Sequence, residues 1–201
     1  MAAYRRLVLV SGFTAAGKTT HSRLLATHLG WRYLGSSQLF RRLLPCHYPD
    51  DREWLPAIDE RRRAVTDIDE ALDRRMLQLI KESDRPLVVD AWLQPWLCRR
   101  TDAVRVWLAS DPASRLRKAT VSFLRSNAIP PADLDAQVNE KDSFSVLTFK
   151  QLYDVDFGPD PDIFDVIIDN SRFIGEASIA ASNRGIADFD QGFQRAIAAH
   201  L

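Results

Sequence analysis

Two hydrophobic rhythms alternate along the chain. Short apolar runs at residues 7–11, 31–34, 86–90, 104–109 and 164–169, each bounded by charged or turn residues, have the length of strands. The stretches between them carry apolar residues at helical intervals. The clearest spans 58–82, where Val65, Ile68, Leu72, Met76 and Leu79 put one stripe on one helix face. Helices are also expected at 17–29 and 37–44. Asp111 and Pro112 follow the fourth run as an N-cap and first-turn proline, so a helix should run through Arg115 and Lys118 towards Leu124. Residues 127–131 interrupt it, a longer helix follows at 133–153, and Phe157-Gly158-Pro159-Asp160-Pro161 marks a turn before the fifth run. A last helix is expected at 185–201. Strands alternating with helices imply an α/β fold around a parallel sheet.

Composition sharpens this picture. Hydrophobic residues make up 46% and charged residues 27% of the 201 positions, the balance of a soluble globular protein. The length suits one domain over 1–201, since domains commonly run to roughly 200 residues. Lysine plus arginine equals aspartate plus glutamate at 27 each, so no overall field draws the chain to nucleic acid or an anionic membrane. Any anion site is therefore local. The first residues, MAAYRR, lead directly into an apolar run far below signal-peptide or membrane-span length. The expectation is a cytoplasmic monomer or homodimer with no nucleic-acid or membrane partner. Cys46 and Cys98 lack paired metal spacing and read as unreactive thiols, with no disulfide framework or zinc site.

The chemistry concentrates between the first strand and the first helix. Gly12-Phe13-Thr14-Ala15-Ala16-Gly17-Lys18-Thr19 satisfies the phosphate-binding P-loop pattern, in the strand-to-helix context that the pattern requires. Backbone N–H groups must turn inward around a phosphate, which calls for Gly12 and Gly17 and for small residues at Ala15 and Ala16. Lys18 would reach the β- and γ-phosphates of ATP, Thr19 would ligate Mg²⁺, and the loop through Thr20 would cradle the nucleotide at the positive end of the helix. This specifies the fold as a P-loop three-layer sandwich with a five-stranded parallel sheet. Small acceptor-binding and lid segments would occupy about 36–84 and 112–150.

The acceptor side is less explicit. Asp90 ends the third strand, where a carboxylate would serve the metal or the substrate; it reads equally well as the N-cap of the following stretch. A neutral hydroxyl acceptor needs a general base, whereas a phosphate acceptor already carries its negative charge. Gly35-Ser36-Ser37-Gln38 after the second strand holds no carboxylate, which favours a phosphorylated small molecule. Arg41 lies one turn beyond Ser37 on the same face and either holds such a phosphate or is a solvated arginine. Arg115, Lys118 and Lys141 stand on later helices, where they either close over the phosphates or remain surface charges. Of the tryptophans at 31, 54, 92, 96 and 107, Trp92 and Trp96 follow the Asp90 position, and Trp54 sits in a 49–56 stretch with the make-up of a flap.

From residue 7 to residue 172 the chain resembles the cytidylate kinase family, in its short archaeal-type form among the P-loop nucleoside-monophosphate kinases. The resemblance is carried by the P-loop helix and Gly30-Trp31-Arg32-Tyr33-Leu34-Gly35-Ser36; by Leu39-Phe40-Arg41; and by Ile68-Asp69 with Leu72-Asp73-Arg74-Arg75. It continues through Lys150-Gln151-Leu152-Tyr153, Asp156 and Val166-Ile167-Ile168-Asp169-Asn170-Ser171. It implies that Arg41 binds the acceptor phosphate; together with the readings above, Ser37, Asp69, Asp90, Trp92 and Lys141 are the candidate acceptor-site residues, Lys18, Arg115, Lys118 and Asp90 the candidate catalytic ones, and Thr19 and Asp90 the expected metal ligands. Where the family has Glu-Gly-Arg, this chain has Asp90-Ala91-Trp92; Lys118 and Lys141 stand where it has arginines, and Thr148-Phe149 where it has Arg-Tyr. The implied function is transfer of the γ-phosphoryl group of ATP to a nucleoside monophosphate, with a pyrimidine such as CMP or dCMP expected. A kinase of a non-standard phosphate, phosphonate or hydroxyl acceptor and a nucleotide-binding regulator without catalysis are the alternatives.

Overall fold

A computed structural model of the protein describes residues 5–43 and 67–201. Cys46, the Trp54 stretch and the first part of the 58–82 helix, with Val65, lie outside the described residues.

Strand β1 (Leu7–Ser11) is buried along its whole length, as a strand covered on both faces must be. It lies mid-sheet between β3 (Leu87–Asp90) and β4 (Ala103–Ala109), with β2 (Arg32–Gly35) and β5 (Val166–Asp169) outside them. The order is β2-β3-β1-β4-β5, and all four pairings are parallel. Successive side chains of β1 feed two different cores. Val8 and Val10 join Val88, Val106 and Leu108 against Leu25 of α1 (Lys18–Leu29) and Phe189, Phe193 and Ile197 of α7 (Ile179–Ala198). Leu7 and Leu9 join Leu87 and Val89 against Met76 and Ile80 of α3 (Ile68–Glu82). This is the three-layer arrangement expected from the strand and helix rhythms.

Among the described residues the remaining α-helices are α2 (Ser36–Leu43), the short α4 (Gln94–Leu97), α5 (Pro112–Arg125) and α6 (Leu134–Tyr153). Asp111 caps α5 as expected, accepting the Ser114 N–H at 2.6 Å. The last helix starts earlier than its sequence signals suggest. Ser178 caps it by accepting the Ala181 N–H at 3.1 Å, and Gly185 lies nearly two turns inside. Gly185 is there for space: a Cβ would stand 2.0 Å from the Phe173 carbonyl oxygen. A third cluster gathers Trp107, Phe149, Phe157 and Phe164, with Phe13, Trp92 and Trp96 packed around it.

From β1 the chain crosses past β3 to β2, whereas from β3 it crosses past β1 to β4. The connections therefore diverge at the carboxyl ends of β1 and β3, the place where open parallel sheets form a ligand crevice. Among the described residues no helix is long and apolar enough to cross a membrane.

Candidate active site

The crevice holds a cavity of about 730 Å³ at the carboxyl ends of β1, β2 and β3. Its floor is the P-loop. Gly12 has φ +151° and Gly17 φ +97°, and a Cβ on Gly12 would stand 2.5 Å from the Leu108 carbonyl oxygen, so a side chain is excluded there. Ala15 takes the left-handed region as well, at φ +59°, an uncommon conformation for a residue with a Cβ. Lys18 Nζ donates to the carbonyl oxygens of Gly12 at 2.7 Å and Phe13 at 2.9 Å. It also stands 5.0 Å from the centre of the Trp92 ring. Burial pushes the Lys18 ammonium down to about 8 from its ordinary 10.5, against the pull of Asp90 and Asp142.

Beside the loop, Thr19 Oγ1 donates to Asp90 Oδ2 at 2.5 Å, and Tyr33 OH reaches the same oxygen at 3.2 Å. Asp90 is 2% exposed. Burial, and after it the negative charge of Asp90, push the Tyr33 phenol up, so it remains a donor. Two hard oxygens, the Thr19 hydroxyl and the Asp90 carboxylate, are thus held together at the edge of the phosphate loop. Their chemistry fits Mg²⁺, which takes one or two protein ligands and completes its shell with phosphate and water oxygens. Among the described residues no group of three or more His, Cys, Asp and Glu side chains could hold a metal ion by itself.

Ser37 and Arg41 of α2, Asp69 and Asp73 of α3, Trp92, Lys118 of α5 and Lys141 of α6 all line this cavity, together with Thr14, Ala15, Gly17 and Thr20 of the loop. Of these, Ser37, Arg41, Asp69, Trp92 and Lys141 are residues that the sequence reading expects on the acceptor side, and the cavity brings them together with Lys18. Lys118 Nζ donates to Ser110 Oγ at 2.7 Å and to Asn170 Oδ1. Burial lowers it to about 8. Asn170 Nδ2 in turn donates to the Ala16 carbonyl at 2.8 Å, tying the segment after β5 to the loop. Trp92 stacks on Phe157 at 5.4 Å, and Phe149 meets its edge at 5.8 Å. Trp96 packs edge-on against Phe164 and Trp107 and belongs to the aromatic core.

Four residues stand outside the cavity wall. Gly12 and Ala16 contribute backbone, and Phe13 packs edge-on against Trp107 and Phe157. Arg115 is buried against the loop: it pairs with Asp142 of α6, donates to the Thr14 carbonyl at 3.3 Å and lies over the Phe13 ring. Asp142 also accepts the Thr14 N–H at 2.9 Å. The structure therefore gives Arg115 a bracing contact between α5, α6 and the P-loop. Sequence reasoning misses Gln94 and Asp142, and meets Tyr33 and Tyr153 only inside family motifs, with no role assigned. Asp73 was legible only as part of a family motif, although it follows Asp69 by one helical turn on the same face.

An AAA domain family model matches residues 8–119 of this chain, from β1 into α5. The cytidylate kinase of Pyrococcus furiosus is 26% identical over 184 residues, covering 92% of this chain and 90% of its own. That of Halobacterium salinarum is 25% identical over 168 residues, covering 83% and 82%. Among solved structures, a shikimate kinase from Acinetobacter baumannii, in complex with shikimate, shares the fold at a TM-score of 0.51 and 16% identity, over 92% of this chain and 94% of that one. The resemblance to the cytidylate kinases therefore extends over most of the chain.

Proposed function

The chain belongs to the AAA domain family and is a phosphotransferase related to the cytidylate kinases, and from that premise we propose an ATP- and Mg²⁺-dependent nucleoside-monophosphate kinase acting on a pyrimidine. The observation that carries this reading is a single cavity lined at once by Lys18, the Thr19–Asp90 pair, Arg41, Asp69 and Lys141. Donor and acceptor groups must be brought within reach for in-line transfer, and a shared cavity does so.

In this mechanism the P-loop backbone and the positive end of α1 bind the triphosphate, and Lys18 turns from the Gly12 and Phe13 carbonyls to the β- and γ-phosphates. Thr19 and Asp90 hold Mg²⁺, which when bound supplies charge neutralisation on the phosphates. Arg41 takes the acceptor phosphate, a task suited to its forked donors. Lys118 and Lys141 add positive charge around the transferring group. The acceptor phosphate oxygen already carries negative charge and attacks without a general base. Asp90, which accepts hydrogen bonds from Thr19 and Tyr33, serves the metal.

The test is a coupled assay for ADP with ATP, Mg²⁺ and a panel of nucleoside monophosphates. Turnover with CMP or dCMP is expected, and silence across the panel would sink the reading. Trp92 favours a second reading, since it stands in the position where the resembling family carries an arginine. A phosphonate or non-nucleotide phosphate acceptor would replace that arginine's charged contact by a stacked ring. ADP release with such acceptors alone would support it, and ATP binding without any turnover would mark a regulator.

A further inference from the structure

Gln94 is a buried polar side chain that the mechanism above leaves without a task. It is 1% exposed, yet it lines the cavity along with Asp69, Asp73 and Trp92. Its Nε2 donates to Asp73 Oδ1 at 2.9 Å. The other carboxylate oxygen, Asp73 Oδ2, accepts the Tyr153 hydroxyl at 3.1 Å. Tyr153 stays protonated, because burial and then the charge of Asp73 push its phenol up. An ionised carboxylate only accepts hydrogen bonds, so Asp73 dictates which way the amide points: the NH₂ faces Asp73 and Oε1 faces away. Among the described residues Gln94 Oε1 accepts no hydrogen bond. A nearly buried carbonyl oxygen at a cavity wall is a group that a ligand donor would complete.

We propose that Gln94 Oε1 accepts a hydrogen bond from an amino group on the acceptor's base edge, and that Asp73, held by Tyr153, is the positioning residue that fixes the amide in that sense. The inference rests on the pyrimidine-monophosphate reading above. A cytosine edge offers an N4 amino donor, whereas a 4-oxo pyrimidine offers an acceptor there. With the amide locked, the 4-oxo base brings oxygen against oxygen. Discrimination then lies in a single amide orientation, enforced by a carboxylate from α3 and a phenol from the end of α6.

The experiment measures kcat/KM for CMP and UMP with the wild-type protein, Asp73→Asn and Gln94→Leu, each checked by circular dichroism. Wild type should prefer CMP by about tenfold or more, the scale of one buried hydrogen bond. Asparagine both donates and accepts, so Asp73→Asn frees the amide to turn over; the CMP:UMP ratio should fall towards unity, chiefly through a lower KM for UMP. Gln94→Leu should lose about tenfold on CMP while leaving UMP no worse. Folded variants that lower CMP and UMP equally would overturn the proposal while the kinase reading stands. If Asp73→Asn does not fold, an unchanged ratio in Gln94→Leu overturns it alone. Absence of wild-type turnover on every monophosphate would overturn the function itself, and this proposal with it.

Discussion

The phosphate loop and the wall proposed for the acceptor share one cavity but are built in opposite ways. The loop is contiguous, and its shape resides in backbone: positive φ at Gly12, Ala15 and Gly17, leading into the first turn of α1. The wall is assembled from distant pieces, with Arg41 from α2, Asp69 and Asp73 from α3, Gln94 from α4, and Lys141 and Phe149 from α6. A triphosphate has the same chemistry in every kinase and can be read by N–H groups and a helix end. An acceptor differs from enzyme to enzyme and is read by side chains that a common scaffold presents.

The comparison can be broken most forcefully on the loop side. Lys18→Ala should lower kcat/KM on the order of 10³-fold, as expected for loss of a cation on the transferring phosphates. A steady-state loss below tenfold would mean that the loop does not carry the donor. Asp142→Ala attacks the brace between the two regions, because it strands buried Arg115 and the Thr14 N–H together. Removing one partner of a buried ion pair should lower Tm on the order of 10 °C. Thermal unfolding unchanged within about 2 °C would show the brace to be idle.

Arg41→Ala probes the wall alone. It should raise KM for the acceptor roughly 10- to 100-fold and leave KM for ATP unchanged, since a charge-assisted contact to phosphate is lost on one side only. Equal changes in both constants would erase the division between the regions. The smallest expected effect is on pH dependence. Lys18 and Lys118, both lowered to about 8, should make kcat/KM fall as pH rises through about 8. Stability should move the other way. Between about 8 and 10.5 the unfolded chain holds more protons on these lysines than the folded one, so unfolding becomes harder as pH rises. Urea denaturation at pH 7.5 and 9.5 would test this, and parallel loss of activity and stability would contradict it.

The legible parts of the molecule are those whose causes are local. The five strands were recognisable from runs of adjacent residues, the α5 start from Asp111 and Pro112, and the loop from glycine spacing. Gly185 misled because its reason is the Phe173 carbonyl across the fold rather than a helix end. Arg115 read as a lid arginine because nothing near it in sequence shows Asp142, 27 residues on. Gln94 carried no signal and Tyr153 stood only inside a family motif with no role attached, since Asp73, the residue that gives them meaning, lies 21 and 80 residues away.

By itself, then, the sequence determined the strand and helix order and the phosphate-loop pattern, because periodicity and glycine geometry act over a few neighbouring residues. That Tyr33 shares the Asp90 oxygen with Thr19, which helix braces the loop and which way the Gln94 amide faces were decided by tertiary structure alone. Burial makes the reason physical: once side chains leave water, each polar group must find its partner wherever the fold brings one, and that partner has no fixed distance along the chain.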